Sequence, residues 1–202
     1  MMNTGFIPSV DGTEDVFDVR ENEQLPKEYS YMDDLPPVLN QGSDPICVPC
    51  SLSAWLNWKT NVSRGIVKDN GVMVYNLFDN AGGCNDGMKC KDAYDYMVEH
   101  GVKSKAGILK MSRYFSVRSW YSLRHAIVSN GPCVVVLPIC NEHSETFWKG
   151  GHIKGYHAVA AVGYDENGFI IRNSWGESFG YKGHTHISND DVQKCKEMWT
   201  FV

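Results

Sequence analysis

The 202-residue sequence has no apolar run long enough to cross a bilayer, which argues against a membrane-spanning helix. Its first residues lack the basic and apolar segments of a secretion signal, so we expect an unexported, cytoplasmic protein. Clusters of lysine and arginine are also lacking, because 19 basic and 24 acidic residues are scattered along the chain. Nucleic acid and anionic membranes attract basic patches. Neither is therefore an expected partner.

Low-complexity runs and internal repeats are also absent. The chain is 43% hydrophobic, which is enough for one catalytic domain, or two half-domains, with a packed core. The cysteine count is odd, so at least one thiol is free, and in a reducing compartment most of the others are expected to be small buried hydrophobes. The seven cysteines are Cys47, Cys50, Cys84, Cys90, Cys133, Cys140 and Cys195.

The order of patterns along the chain predicts an α+β protein. Residues 1–24 are acidic, lack a sustained period and are interpreted as an N-terminal extension. Three helices are then predicted: one beginning near Cys47, one over Asp92–His100 with Asp92 as N-cap, and one around Leu123–Ile127 that closes at Asn130. The runs CVVVLPIC, HAVAAVGY, FIIRNSW and YKGHTHIS follow and indicate strands. The chain is thus helical first and sheet-like second, with two layers meeting at a cleft.

Three side chains of this sequence have the types needed for thiol catalysis. Cys47 lies at the start of a predicted helix, where the dipole and free N–H groups favour the thiolate. A histidine can hold the proton and then deliver it to a leaving amine, while a third group fixes the orientation of its ring. His157 and Asn173 are suitable partners for these two roles.

The sequence resembles the papain family of cysteine peptidases in four motifs that occur in the family's order. Gln41 precedes Cys47 by six residues, as in the family. The segment 155–164 resembles the histidine strand, and Asn173 to Gly176 matches an Asn-Ser-Trp-Gly motif. Residues 83–87 resemble the family's glycine-rich cleft wall. The resemblance covers roughly residues 25–186 and implies a two-lobed fold over 25–202, with a helical lobe at about 25–120, a β-rich lobe at 121–202 and the active site between them.

The resemblance also implies roles for individual residues. Cys47 would be the nucleophile, His157 the base and acid, and Asn173 the group that orients the imidazole. The Gln41 side-chain amide and the Cys47 backbone N–H would form an oxyanion hole. Trp175 would shield the histidine–asparagine bond. The substrate-binding residues would be Asn85, Asp86, Gly87, Tyr156 and Trp175. The expected reaction is peptide hydrolysis through a thioester, on a peptide or protein substrate and without a cofactor or metal.

The sequence departs from the family pattern close to the nucleophile. Asp44, Pro45 and Ile46 replace the usual Cys-Gly-Ser, so the disulfide that the resemblance implies for Cys84 has lost its partner. Val48 replaces a tryptophan, and no large pro-region is recognisable. The acidic extension is therefore interpreted as a possible short autoinhibitory segment. His157 and Asn173 follow the cysteine at less than the family's roughly 130 to 150 residues, which indicates trimmed loops.

Several alternatives remain open from the sequence. A shifted alignment would make Cys50 the nucleophile, although one helical turn further in a thiol loses much of the dipole. Cys47 and Cys50 could instead be a thiol–disulfide redox pair, but that fold requires a strand directly before the motif. A zinc site from Cys47, Cys50, Cys84 and Cys90 has atypical spacing. The same triad could serve a deamidase, an isopeptidase or a transglutaminase-like enzyme, and the oligomeric state stays open.

Overall fold

A computed structural model describes residues 5–9, 14–19, 24–64, 71–104, 107–142 and 144–202. The helices are α1 (Cys47–Arg64), α2 (Gly71–Asn80), α3 (Cys90–Glu99), α4 (Trp120–Asn130) and α5 (Asn189–Val192), with a short 3₁₀ turn at Met32–Asp34. The strands are β1 (Phe6–Ile7), β2 (Val16–Phe17), β3 (Tyr29–Ser30), β4 (Met88–Lys89), β5 (Val102–Ser104), β6 (Gly107–Leu109), β7 (Tyr114–Val117), β8 (Cys133–Ile139), β9 (Gly155–Tyr164), β10 (Gly168–Arg172), β11 (His184–Ser188) and β12 (Glu197–Phe201). Within the described residues, none of the helices is long and apolar enough to cross a bilayer.

One eight-stranded sheet forms the centre of the molecule. Its order is β11-β10-β9-β8-β12-β7-β2, and β3 pairs with β9 beside this path. The pairs between β7 and β12 are antiparallel, as are those from β12 through β8, β9 and β10 to β11, whereas β2 joins β7 in parallel. The predicted α+β class is confirmed.

Both faces of β8 are buried, and this explains its nearly continuous apolar sequence. Leu137 packs on one side in a cluster with Leu123 and Ile127 of α4. Val134 and Val136 point to the other side, into a cluster formed mainly by α1, α2 and α3. Successive residues of a strand face opposite ways, so one short segment supplies side chains to two cores. The sheet therefore lies between α4 and the three other long helices.

The helices match the sequence prediction to different degrees. The predicted helix around Leu123 is confirmed as α4, which begins after a Ser119 side chain that accepts a hydrogen bond from the Ser122 N–H at 3.0 Å. The predicted start of α3 was wrong by two residues. Lys89 occupies the N-cap position without a side-chain cap, and Asp92 lies inside the first turn. There its carboxylate still interacts favourably with the positive end of the helix dipole. Helix α2 was not predicted.

The N-terminal arm, which we define as residues 5–9 and 14–19, packs on the rest of the chain. Strand β1 runs parallel to β4, and the Gly5 carbonyl accepts a hydrogen bond from the Met88 N–H at 2.9 Å. Further along, the Asp15 carbonyl accepts from the Ser116 N–H at 2.9 Å, and the Asp15 carboxylate pairs with Arg113 at 2.9 Å. The arm is thus paired through its backbone at two separate places.

Candidate active site

The start of α1 places Cys47 against the strand that carries His157. Cys47 is the first residue of this helix, and its neighbours in the apolar cluster include Ala158 of β9. Burial raises the pKa of Cys47 to about 12, while the backbone N–H groups of Ala158, Val48 and Cys47 itself act to lower it. Both Cys47 and His157 are fully covered, at 0% exposure each.

The imidazole of His157 is held by an amide and enclosed by aromatic rings. Its Nε2 lies 2.7 Å from Oδ1 of Asn173, and the same oxygen accepts the Ser174 N–H at 2.8 Å. Because the amide oxygen is an acceptor, Nε2 carries the proton of this bond. The Trp175 ring stacks on the imidazole at 4.8 Å and 15°, and Phe147 meets it edge-on at 5.7 Å. Water is therefore kept away from the histidine–asparagine bond.

A second set of hydrogen bonds fixes Gln41 beside the Asn-Ser-Trp segment. The Gln41 backbone N–H donates to the Ser174 carbonyl at 2.8 Å, and the Ser174 hydroxyl donates to Oε1 of the Gln41 side chain. The amide nitrogen donates to the Asp44 carbonyl at 2.9 Å. An amide nitrogen has two hydrogens, so one hydrogen remains for a developing oxyanion.

The loop before Cys47 is held to α2 by a hydrogen bond. Tyr75 donates its hydroxyl to Oδ2 of Asp44 at 2.7 Å. Asp44 stands where the papain pattern has a half-cystine. Cys84, which would have been its partner, is a free and exposed thiol. A hydrogen bond thus joins this loop to the helical lobe without a disulfide.

The predicted substrate-binding residues do not all lie at the same depth in the cleft. Gly87 is buried in a tight turn that it forms with Cys84, whereas Asn85 and Asp86 occupy the exposed tip of that turn. Tyr156 packs against Phe6 of the arm, with ring centroids 6.2 Å apart. Trp175 stacks on the His157 imidazole.

The N-terminal arm packs on the loop before Cys47 and contributes to the same apolar cluster. Phe6 is 8% exposed and belongs to the same apolar cluster as Cys47 and Ala158. A Cβ atom added to Gly5 would lie 2.2 Å from the Pro45 carbonyl carbon, and one added to Gly87 would lie 2.1 Å from that of Gly5. Only glycine permits such a close approach of backbones. The arm therefore lies directly on the loop that precedes Cys47 and on the turn that contains Gly87.

Two hydrogen bonds hold the far end of this covering segment. The Ser9 N–H donates to Oε1 of Glu197 at 2.8 Å, and the Ser9 hydroxyl accepts from the Lys91 N–H at 3.2 Å. Burial raises the pKa of Glu197, against the hydrogen bonds from Trp199 and Ser9. The segment Gly5–Ser9 is thus attached at its first residue to Met88 and at its last residue to Lys91 and Glu197.

Sequence reasoning did not identify Phe6, Phe147 or Ser174 as parts of the site. The apolar pair at positions 6 and 7 inside an acidic extension was a usable signal for the first. Ser174 lies inside the Asn-Ser-Trp-Gly motif, which was a signal for it, whereas no local pattern identifies Phe147, because its contacts are with residues distant in sequence.

The remaining sequence alternatives gain no support from the geometry. The residues directly before Cys47 form turns, so the strand required by a thioredoxin-like unit does not precede the C-x-x-C motif. Burial raises the pKa of Cys50 above its usual range. Within the described part of the chain, no three His, Cys, Asp or Glu side chains come together as metal ligands would.

Comparisons with a protein-family model, with curated proteins and with solved structures all point to the same family. A model described as papain family cysteine protease matches residues 70–200. This range includes His157 and Asn173 and leaves Cys47 outside. Mouse (Mus musculus) cathepsin K is 27% identical over 127 residues, covering 55% of this chain and 39% of its own length. Mexicain from Jacaratia mexicana is 31% identical over 115 residues, covering 51% and 53%. The chain thus spans about two fifths to one half of these curated relatives.

Solved structures resemble the whole chain more completely. Xylellain, a cysteine protease from Xylella fastidiosa, superposes with a TM-score of 0.81 and 17% identity, covering 99% of this chain and 96% of its own. Digestive procathepsin L 3 from the larval midgut of Tenebrio molitor gives a TM-score of 0.77 and 19% identity, covering 100% and 76%. At these identities the likeness concerns the fold.

Proposed function

Because the chain belongs to the papain family of cysteine proteases, we propose that it is a cysteine peptidase that hydrolyses peptide bonds in a peptide or protein substrate. The observation that carries the proposal is the 2.7 Å bond between His157 Nε2 and Asn173 Oδ1, on a strand that packs against the start of α1. With Nε2 engaged, Nδ1 is the nitrogen that exchanges a proton with the Cys47 thiol.

Catalysis begins when the Cys47 thiol transfers its proton to His157. The thiolate attacks the scissile carbonyl, and the oxyanion receives hydrogen bonds from the second Gln41 amide hydrogen and the Cys47 backbone N–H. The imidazolium then protonates the leaving amine, which leaves a thioester on the sulfur. Water, deprotonated by the same imidazole, hydrolyses the thioester and regenerates the thiol.

We further propose that the state with the arm in place is a latent form of the peptidase. The cleft wall that would hold a substrate backbone at Gly87 is occupied by Gly5 and Phe6, and this supports the proposal. Cys47 is also fully covered, and burial in apolar surroundings disfavours the reactive thiolate. Displacement of the arm would admit both water and substrate, and hydration of the sulfur would lower the pKa that burial has raised. The domain boundary near residue 24 and the cytoplasmic location remain predictions.

The proposed function is tested by thiol labelling combined with peptide turnover. Iodoacetamide or an electrophilic epoxide should label Cys47 first when the cleft is open, and the labelled protein should lose cleavage of a peptide library. Cys47→Ala should abolish cleavage, while the matched Cys50→Ala variant should retain it. Preferential labelling of Cys50, or a Cys47→Ala protein that still cleaves peptides, would refute the assignment. Labelling of Cys47 with ammonia release and no peptide cleavage would favour a deamidase.

A further inference from the structure

Cys50 is a buried thiol for which the proposed mechanism has no use. It forms a C-x-x-C motif with Cys47, with Pro49 inside the motif, at the start of α1. Both cysteines are free thiols. Cys50 packs against Ile46 of the preceding loop and Val74 of α2. The catalytic sulfur therefore has a second sulfur three residues away on its own helix.

The geometry of the first helical turn places the two residues at a distance that a disulfide can bridge. The Cys50 N–H donates to the Ile46 carbonyl at 3.0 Å, so this turn is α-helical. A rise of 1.5 Å and 3.6 residues per turn put Cα atoms three residues apart at about 5 Å. Disulfides join Cα atoms about 4.4 to 6.8 Å apart.

Position also favours Cys50 over the other nearby thiol. Cys90 is buried in the same apolar cluster as Cys47, but it begins a different helix, α3. Two residues in one turn close a very small loop, so little chain entropy is lost when they are joined. Burial and the nearby Asp44 carboxylate raise the pKa of Cys50, and the Arg172 guanidinium acts in the opposite direction.

We propose that Cys50 is a resolving thiol that protects the nucleophile Cys47 from irreversible oxidation, so that the C-x-x-C motif is a reversible redox modification site. The inference rests on the proposed function, because it takes Cys47 to be the reactive thiol. It adds a second reaction at the same sulfur, with a hydroperoxide as the oxidant and a dithiol as the reductant.

The reaction has two steps. The Cys47 thiolate attacks a peroxide oxygen, an S–O bond forms, the O–O bond breaks, and the alkoxide or hydroxide leaves with a proton. The sulfur loses two electrons and becomes a sulfenic acid. The Cys50 sulfur then attacks the Cys47 sulfur, the S–O bond breaks, and hydroxide leaves as water with the thiol proton. A dithiol reductant returns both cysteines to thiols.

The test measures mass and activity after exposure to hydrogen peroxide. The full chain and its Cys50→Ala and Cys90→Ala variants are oxidised, each also in a Phe6→Ala background that opens the cleft. Non-reducing mass spectrometry should show the loss of two hydrogens and a link between residues 47 and 50. Dithiothreitol should restore most of the activity. In Cys50→Ala the basal activity should be unchanged, Cys47 should gain two or three oxygens, and recovery should fall at least about tenfold. Cys90→Ala should behave like the parent protein.

The mass readout separates this inference from the proposed function. If the 47–50 link forms in a protein without peptidase activity, the redox site stands and the proposed function fails. A link from Cys47 to Cys90 would overturn the inference. Equal over-oxidation in the parent and Cys50→Ala chains, or a Cys47 that resists peroxide even with Phe6→Ala, would also overturn it.

Discussion

Shortening Phe6 should activate the protein. Phe6 is the only aromatic side chain in the described part of the arm that lies in the cluster with Cys47, and it is 8% exposed. Replacing it with alanine leaves the backbone pairing of β1 with β4 intact. The substitution therefore weakens the apolar contribution to docking without removing the arm.

The size of the effect follows from the buried area of the ring. Full burial of a phenylalanine side chain contributes about 1.5 to 3 kcal/mol. Each 1.4 kcal/mol changes an equilibrium tenfold, so Phe6→Ala should raise the population with an open cleft by roughly 10- to 100-fold until opening is complete. Turnover and the rate of Cys47 alkylation should rise by the same factor, because both require the same open state.

The assay follows cleavage of a fluorogenic peptide and, separately, iodoacetamide incorporation at Cys47 by mass spectrometry. Val16→Ala is the matched control, since this arm side chain is 38% exposed and contributes little apolar burial. It should leave both rates near those of the parent. Unchanged rates in Phe6→Ala, with unfolding by urea also unchanged, would show that the arm does not limit access to the sulfur.

Three further substitutions test the site and its support. Asn173→Ala removes the acceptor for His157 and should lower kcat by about 10²-fold or more, measured by steady-state kinetics. Gln41→Ala removes an oxyanion donor and should lower kcat by about 10²- to 10³-fold with little change in KM. Burial opposes ionisation of Asp191, but hydrogen bonds from Trp148 and nearby lysines outweigh it and lower its pKa. Asp191→Asn should therefore cost about 1 kcal/mol of unfolding free energy at pH 7, and this cost should shrink as the pH falls below about 4.

Matched variants show which results would contradict these expectations. Asn173→Asp keeps an acceptor oxygen and should retain more activity than Asn173→Ala, so equal losses would count against an orienting role. A Gln41→Ala variant altered only in KM would remove the glutamine from the oxyanion hole. Asp190→Asn, at an exposed neighbour, should leave urea unfolding unchanged at every pH. A loss equal to that of Asp191→Asn would point to general charge effects.

The residues proposed for catalysis could be picked out from the sequence because they lie in short motifs. Asn173 and Trp175 stand two residues apart, and the structure places both against His157. Helix α4 could be predicted for a similar local reason. Its apolar residues recur at helical spacing, and the Asn130-Gly131 pair at its end is a local stop signal.

An autoinhibitory role for the acidic extension was suggested by its position, but the contacts through which the arm packs could not be predicted from local patterns. Strands β1 and β2 have two residues each, which is too short for a period of two to be recognised. The positions of both strands depend on backbone hydrogen bonds to distant residues, and that of β1 also depends on the contact between Gly5 and Gly87. Neither kind of contact can be recognised from the sequence of one segment alone. Phe147 likewise reaches the imidazole from a loop whose path is set by tertiary packing.

The hydrogen bond from Tyr75 to Asp44 has a consequence for the biogenesis of the protein. A loop secured by a phenol and a carboxylate needs no electron acceptor to reach its final shape, so newly made chains can mature where thiol reductants are abundant. Refolding from denaturant with excess reductant should therefore be complete, and the seven sulfurs stay available for chemistry instead of being consumed as cross-links.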